Sequence, residues 1–196
     1  MRKVFLSTIG LAELDHFSFV SDDFDLNKSG YKFAWPHIME QYVDDNDEVL
    51  VATIVQGCHN ANYDIYQEEV AEALVDKKAK VSFCSIPEEK NYDSRSFHKA
   101  FKAVADIIED EDLVYLDVGN GPMPYAFSSF VACNYAVKAS HSAELGRVIY
   151  AEKNNENKQA KLYDMTGVFF LNQMAGTVRP EDREDVDNML NMMIND

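Results

Sequence analysis

Apolar residues fall in short blocks along the chain, and the blocks alternate between strand-like and helix-like spacing. Val4 to Ile9 is an apolar run ended by Gly10, the pattern of a strand buried on both faces. Val49 to Val55 predicts a second such strand, and Lys80 to Ser85, closed by Pro87, a third. Leu113 to Val118 predicts a fourth, with one acid, Asp117, inside it, and it stops in Gly119-Asn120-Gly121. Helical spacing appears over Tyr66 to Val75 and in a stripe of Phe97, Phe101, Val104, Ile107 and Ile108, for which Ser94 or Ser96 is the expected cap. It returns in Ala126 to Val137, which Pro122 opens and where Phe127, Phe130 and Val131 are assigned to the core. Two short alternating pieces, His16 to Val20 and Gly30 to Ala34, predict a hairpin-like excursion after the first strand. Pro36 then begins a helix carrying Ile38, Met39 and Tyr42. Gly146 to Ala151 and Ala160 to Asp164 predict a closing hairpin, followed by helical Val168 to Ala175 and an acidic helix from Asp182 to Ile194.

Strands alternating with helices at these intervals predict an α/β fold: Rossmann-like, doubly wound, with a mostly parallel sheet, a β-hairpin insertion after strand 1 and a C-terminal hairpin. Ligands in such folds lie beyond the carboxyl ends of the strands, where the strand order reverses. Two unusual loops belong there, Ser7-Thr8-Ile9-Gly10 and Gly119-Asn120-Gly121, and they face each other if the first and fourth predicted strands are neighbours. A glycine-ended strand that turns into a helix gathers backbone N–H groups at the positive end of a helix dipole. That arrangement can bind a phosphate without a basic side chain. Asp117 itself is read as a structural acid, bonded to neighbouring amides.

Composition narrows the partners. The 196 residues carry 34 acids against 18 Lys and Arg, a formal net charge of −16. Such a surface repels duplex nucleic acid and anionic membrane, so neither is expected as a partner. Cys58, Cys84 and Cys133 form no CxxC pair, and no metal site or cofactor is expected. The N-terminus lacks a signal-peptide pattern and no apolar run approaches the ~18 residues of a membrane span, so a cytoplasmic location is expected. Cys58-His59 suggests a nucleophile and base, but sequence neighbours seldom point at each other and a loop cysteine is usually inert. The loop follows the second predicted strand, so Gln56, Gly57 and His59 are kept as candidate ligand contacts.

Four stretches together resemble the CARF (CRISPR-associated Rossmann fold) sensor domains, in the branch found on accessory ribonucleases of type III CRISPR systems. Arg2 to Gly10 resembles the family's opening strand and glycine-ended loop, and Phe17 to Tyr42 that branch's insertion. Tyr115-Leu116-Asp117-Val118-Gly119-Asn120-Gly121 resembles the strand that ends in Asp-hydrophobe-Thr-His-Gly-Phe-Arg. Val148 to Ala151 with Leu162 to Thr166 resembles the closing hairpin. The likeness covers residues 2 to 170, which implies a sensor domain over 1–170 and a short acidic helical extension over 171–196.

The resemblance implies a homodimer that binds cyclic oligoadenylate, a ring of four or six AMP units, and signals to a downstream effector protein. It carries Ser7, Thr8, Gly10, Gly119, Asn120 and Gly121 over as ligand contacts, flanked by Ile9, Pro122 and Met123. Where the family has His and then a basic residue, this chain has Asn120 and then Pro122-Met123, so those positive charges are gone. One alternative is a metal-independent ring nuclease, with Ser7, Thr8 and Asn120 as candidates for aligning a ribose 2′-OH on its own phosphate. Another is an unrelated Rossmann-like protein that binds a mononucleotide. No Arg is followed by His at the spacing of a HEPN ribonuclease and no deaminase signature is present, so the chain reads as a sensor domain alone or as part of a longer effector.

Overall fold

In the computed structural model, residues 1–26, 30–57, 60–88 and 93–177 are described, with isolated positions between 179 and 191. The strands are β1 Arg2–Ile9, β2 Ser18–Ser21, β3 Glu48–Val55, β4 Lys80–Pro87, β5 Leu113–Asp117, β6 Glu144–Asn154 and β7 Gln159–Asp164. They form one sheet in the order β2-β7-β6-β5-β1-β3-β4. The helices are α1 Ala34–Ile38, α2 Ala61–Ala73, α3 Ser94–Ile107, α4 Met123–Ala139 and α5 Thr166–Ala175. This is the α/β, doubly wound, mostly parallel arrangement expected from the sequence.

β1 is an interior strand of the sheet, pairing in parallel with β3 on one side and β5 on the other. Seven of its eight residues are buried, because helices cover both faces of a central parallel strand. Val4 and Leu6 face α3 and α4, in a core completed by Val104, Tyr125, Cys133 and, from α5, Phe169. Phe5 and Ile9 face the other layer, with Trp35 of α1 and Tyr66 and Val70 of α2. There the Phe5 and Tyr115 rings stack at 4.5 Å and Trp35 meets Phe5 edge-on at 5.1 Å. Such ring pairs each add about 0.5–1.5 kcal/mol beyond the area they bury. No helix among the described residues is long and apolar enough to cross a membrane.

The closing hairpin forms as expected, β6 and β7 pairing antiparallel from Ile149 with Asp164 to Asn154 with Gln159. The excursion after β1 does not form a hairpin. Its first piece is β2, which pairs in parallel with β7 at the far edge of the sheet. Its second piece leads into α1, with Phe33 as the N-cap. The Glu69 carboxylate on α2 explains this outcome: it accepts from the Lys32 amide at 2.8 Å and the Phe33 amide at 3.2 Å, donors that a hairpin would have needed. The cap of α3 is Asp93 rather than Ser94 or Ser96; its carboxylate accepts from the Ser96 amide at 2.8 Å. Most of the expected acidic helix over 182–194 lies outside the described residues.

Candidate functional site

From β1 the chain order runs outward through β3 and β4 on one side and through β5 and β6 on the other. The reversal falls between β1 and β5, and the two expected loops meet there. A Cβ added to Gly10 would lie 3.7 Å from the Gly121 Cα and 3.7 Å from the Pro122 Cδ. At Gly121 a Cβ would come within 2.6 Å of the Thr8 methyl and 2.9 Å of the Thr8 carbonyl oxygen, and φ is +71°. Close approach and a left-handed backbone therefore both require glycine at 121. At Gly119 the demand is contact alone, since a Cβ would sit 2.5 Å from the Ala151 nitrogen on β6.

The second loop is held from within by Asp117, the fully buried acid at the end of β5. Its carboxylate accepts from the Gly119 amide at 2.7 Å and from the Asn120 side-chain amide at 2.5 Å. The other end of that amide, Asn120 Oδ1, accepts from the Lys153 ammonium at 3.1 Å. Burial pushes the Asp117 carboxyl up to about 6, against the lowering pull of the Gly119 and Asn120 bonds and of the Lys153 charge. Loss of water around the Lys153 ammonium lowers its proton affinity, and the Asp117 charge partly restores it. Asp117, Asn120 and Lys153 thus form a line that fixes the loop and brings one cation to it. The expected structural role of Asp117 is what the geometry gives.

Lys153 is the residue that sequence reasoning missed. β6 pairs with β5 only as far as Ile149 opposite Asp117, then continues to Asn154. The overhang carries Lys153 alongside Asn120, so the cation absent from the loop arrives from the neighbouring strand. Nothing in the local sequence signals this, because it depends on the register between two strands about thirty residues apart.

The first loop is tied to the start of α2. Asn60, the helix N-cap, donates from its side-chain nitrogen to the carbonyls of Gln56 (2.9 Å), Gly10 (3.3 Å) and Ile9 (3.4 Å). Asn62 donates to the carbonyls of Gly10 (2.9 Å) and Ala12 (2.8 Å). Gln56 Oε1 accepts from the Leu11 amide at 3.1 Å, and Gly57 packs beside Leu11 with φ +82°. Gln56 and Gly57 therefore border the first loop, while His59 and Cys58 lie outside the described residues. Ser7 and Thr8 go to opposite faces. Ser7 is buried with its hydroxyl 3.0 Å from the Tyr66 hydroxyl, beneath α2. Thr8 lies beneath the start of α4, and its hydroxyl is buried without a hydrogen-bond partner among the described residues.

Pro122 caps α4 with extended backbone and no side-chain acceptor, and Met123 and Pro124 open the helix. Of the three α4 residues assigned to the core, Phe130 packs against it, edge-on to Phe169 at 5.3 Å, and the other two do not. Tyr125, Ala126, Ser129, Ala132, Cys133 and Ala136 pack on the sheet, whereas Phe127 is 66% exposed and Val131 39%. The small side chains let the helix lie close to β1 and β5, Tyr125 fills the core beside them, and Met123 and Phe127 are turned outward. With α5 they border an apolar groove of about 340 Å³, lined by Val118, Met123, Phe127, Phe130, Met165 and Val168, that starts at the tip of β5. Neither α4 nor α5 contains an acidic residue, and Lys138 is their one charge.

Among the described residues no group of three or more His, Cys, Asp or Glu side chains is placed to hold a metal ion. No protein-family model matches the chain, and no curated protein matches it in sequence.

Proposed function

We propose that the protein is a cytoplasmic, homodimeric receptor for cyclic oligoadenylate, of the kind that senses this messenger in type III CRISPR defence. The observation that carries the reading is the meeting of the β1 and β5 loops at the strand-order reversal, beside the start of α4 and the Lys153 ammonium. Backbone amides, a helix dipole and one cation at one point suit a phosphodiester. Lys153 answers the loss of basic residues from the second loop, and the unpartnered Thr8 hydroxyl leaves one donor in reserve beneath it.

Dimerisation is supported by charge and by shape. Two copies at −16 each repel, and the acid-free α4–α5 face is where that repulsion is weakest. Its exposed Met123, Phe127 and Val168 adjoin the loops, so a second copy seated there would bring two sets of tips together. Binding is favoured over ring cleavage because Ser7 is engaged with Tyr66, and both ends of the Asn120 amide are engaged with Asp117 and Lys153.

Calorimetry with cyclic tetra- and hexa-adenylate, with the nucleotide followed by chromatography, tests the reading. Saturable binding of one ring per dimer, with the ring recovered intact, is the expected result. Linear products ending in a 2′,3′-cyclic phosphate would convert the receptor into a ring nuclease. If neither ring binds, the proposal is wrong.

A further inference from the structure

Between Gly10 and Ser18 the chain passes from the tip of β1 to the start of β2, over the carboxyl ends of β5 and β6 and the hairpin turn before β7. Four strand spacings of about 4.8 Å separate β1 from β2, roughly 19 Å, and the eight residue steps reach roughly 27 Å when fully extended. The strap is therefore long enough to cross this end of the sheet, with roughly 8 Å to spare. It is anchored at few points. Near its start, Asn62 holds the Gly10 and Ala12 carbonyls and Gln56 the Leu11 amide. In the middle Leu14 packs on the α1–α2 core. Near its end Asp15 pairs with Lys158 at 2.8 Å, and the Phe17 ring centre lies 5.8 Å from the Lys153 ammonium and 5.5 Å from that of Lys158.

Lys153 beside the candidate site, and Lys158 on the β6–β7 turn, are thus occupied by the chain itself, the first by an aromatic face and the second by that same face and a carboxylate. Both contacts are weak. A cation over a half-buried phenyl ring contributes about 0.5–2 kcal/mol and a half-exposed ion pair about 0.2–1 kcal/mol, neither more than a charged hydrogen bond to phosphate at about 1.5–3 kcal/mol. We propose that residues 11–17 are a displaceable cover: Phe17 and Asp15 occupy Lys153 and Lys158, the cations a phosphate at the β1–β5 tips would draw on, and anion binding releases the strap. This rests on the reading that the tips take a phosphate-bearing ligand. Freed of Lys153 and Lys158, the strap would keep its Gln56 and Asn62 anchors at one end and the Leu14 contact, and binding would change the surface that the molecule presents to a partner.

The test follows the Cε–H signals of Lys153 and Lys158 by NMR in lysine-labelled full-length chain, because the Phe17 ring current shifts them. Phe17→Ala supplies the position of the released signals. Sodium pyrophosphate added to the wild type is expected to move both signals to that position. Asp15→Asn, which removes one pin and touches no ligand contact, is expected to bind pyrophosphate about 1.5- to 5-fold more tightly, as the loss of one exposed pair allows. Signals that stay in place, or an Asp15→Asn affinity no higher than wild type, would overturn the cover. Cyclic tetra-adenylate titrated in parallel separates the two proposals. If pyrophosphate releases the strap and the ring does not bind, the receptor reading fails and the cover stands; if the ring binds and the lysine signals do not move, the reverse holds.

Discussion

Replacing Asp117 by Asn removes a buried proton-binding group while nearly keeping its shape. The folded protein raises this carboxyl from its ordinary 3.8 to about 6, chiefly by burial. A group whose folded value is raised binds more protons in the folded than in the unfolded state between those two pH values. Its stabilising contribution is therefore complete below about pH 4, falls as pH rises towards 6, and is constant above that. At about 1.4 kcal/mol for each tenfold change in proton affinity, the gap amounts to about 3 kcal/mol. Asp117→Asn abolishes this dependence and nothing else of comparable size nearby. The difference in unfolding free energy between wild type and variant should therefore shift by about 3 kcal/mol between pH 3.5 and pH 7, in favour of the variant at the higher pH. Against this stands a pH-independent loss of about 1–3 kcal/mol, because the new amide cannot accept from both Gly119 and Asn120 with the strength of a carboxylate. Urea unfolding of both proteins across that range, followed by circular dichroism, measures the difference directly. A difference that stays constant to within about 0.5 kcal/mol, the size of an ordinary surface effect, would refute the burial of an ionisable acid at this loop.

Gly121→Ala forces a Cβ against Thr8 at φ +71°, and a loss of about 1–3 kcal/mol is expected, read as a drop of several degrees in Tm by calorimetry. An unchanged Tm would mean that the two loops do not touch. Phe127→Glu puts an acid on the exposed apolar face of α4, the proposed dimer seam; sedimentation velocity should report a monomer whose circular dichroism matches that of wild type. A dimer that survives this change must use another surface. Asn60→Ala removes the α2 cap and the donor to three loop carbonyls, and a loss of about 2 kcal/mol is expected by denaturant titration. A loss near zero would place the first loop under other control.

Much of this architecture is local in origin and was legible along the chain. Runs such as Val4–Ile9 and Val49–Val55 are apolar but for Ser7, Thr8 and Thr53 because both faces of a central parallel strand are covered, and that demand is written along the run. The glycines at 119 and 121 and the acid at 117 are likewise local statements about a turn that bonds to itself. The meeting of the two loops was conditional on the first and fourth predicted strands being neighbours, and the pairing of β1 with β5 meets that condition.

What the tertiary structure alone decided concerns partners far apart in sequence. The segment from Gly30 to Ala34 alternates like a strand, yet its amides are claimed by Glu69 of α2, and β2 pairs with β7 instead. α4 is apolar around much of its circumference, so periodicity could not choose its buried face; the sheet took Tyr125 and a row of small side chains, and Phe127 and Val131 were left outside. Lys153 reaches Asn120 only because β6 runs past the end of β5, a matter of register between strands. Hydrophobic spacing fixes what an element is, since it reflects the one-dimensional geometry of helix and strand. Which neighbour an element meets, and which charge arrives at a loop, is set by competition among distant surfaces for the same buried space.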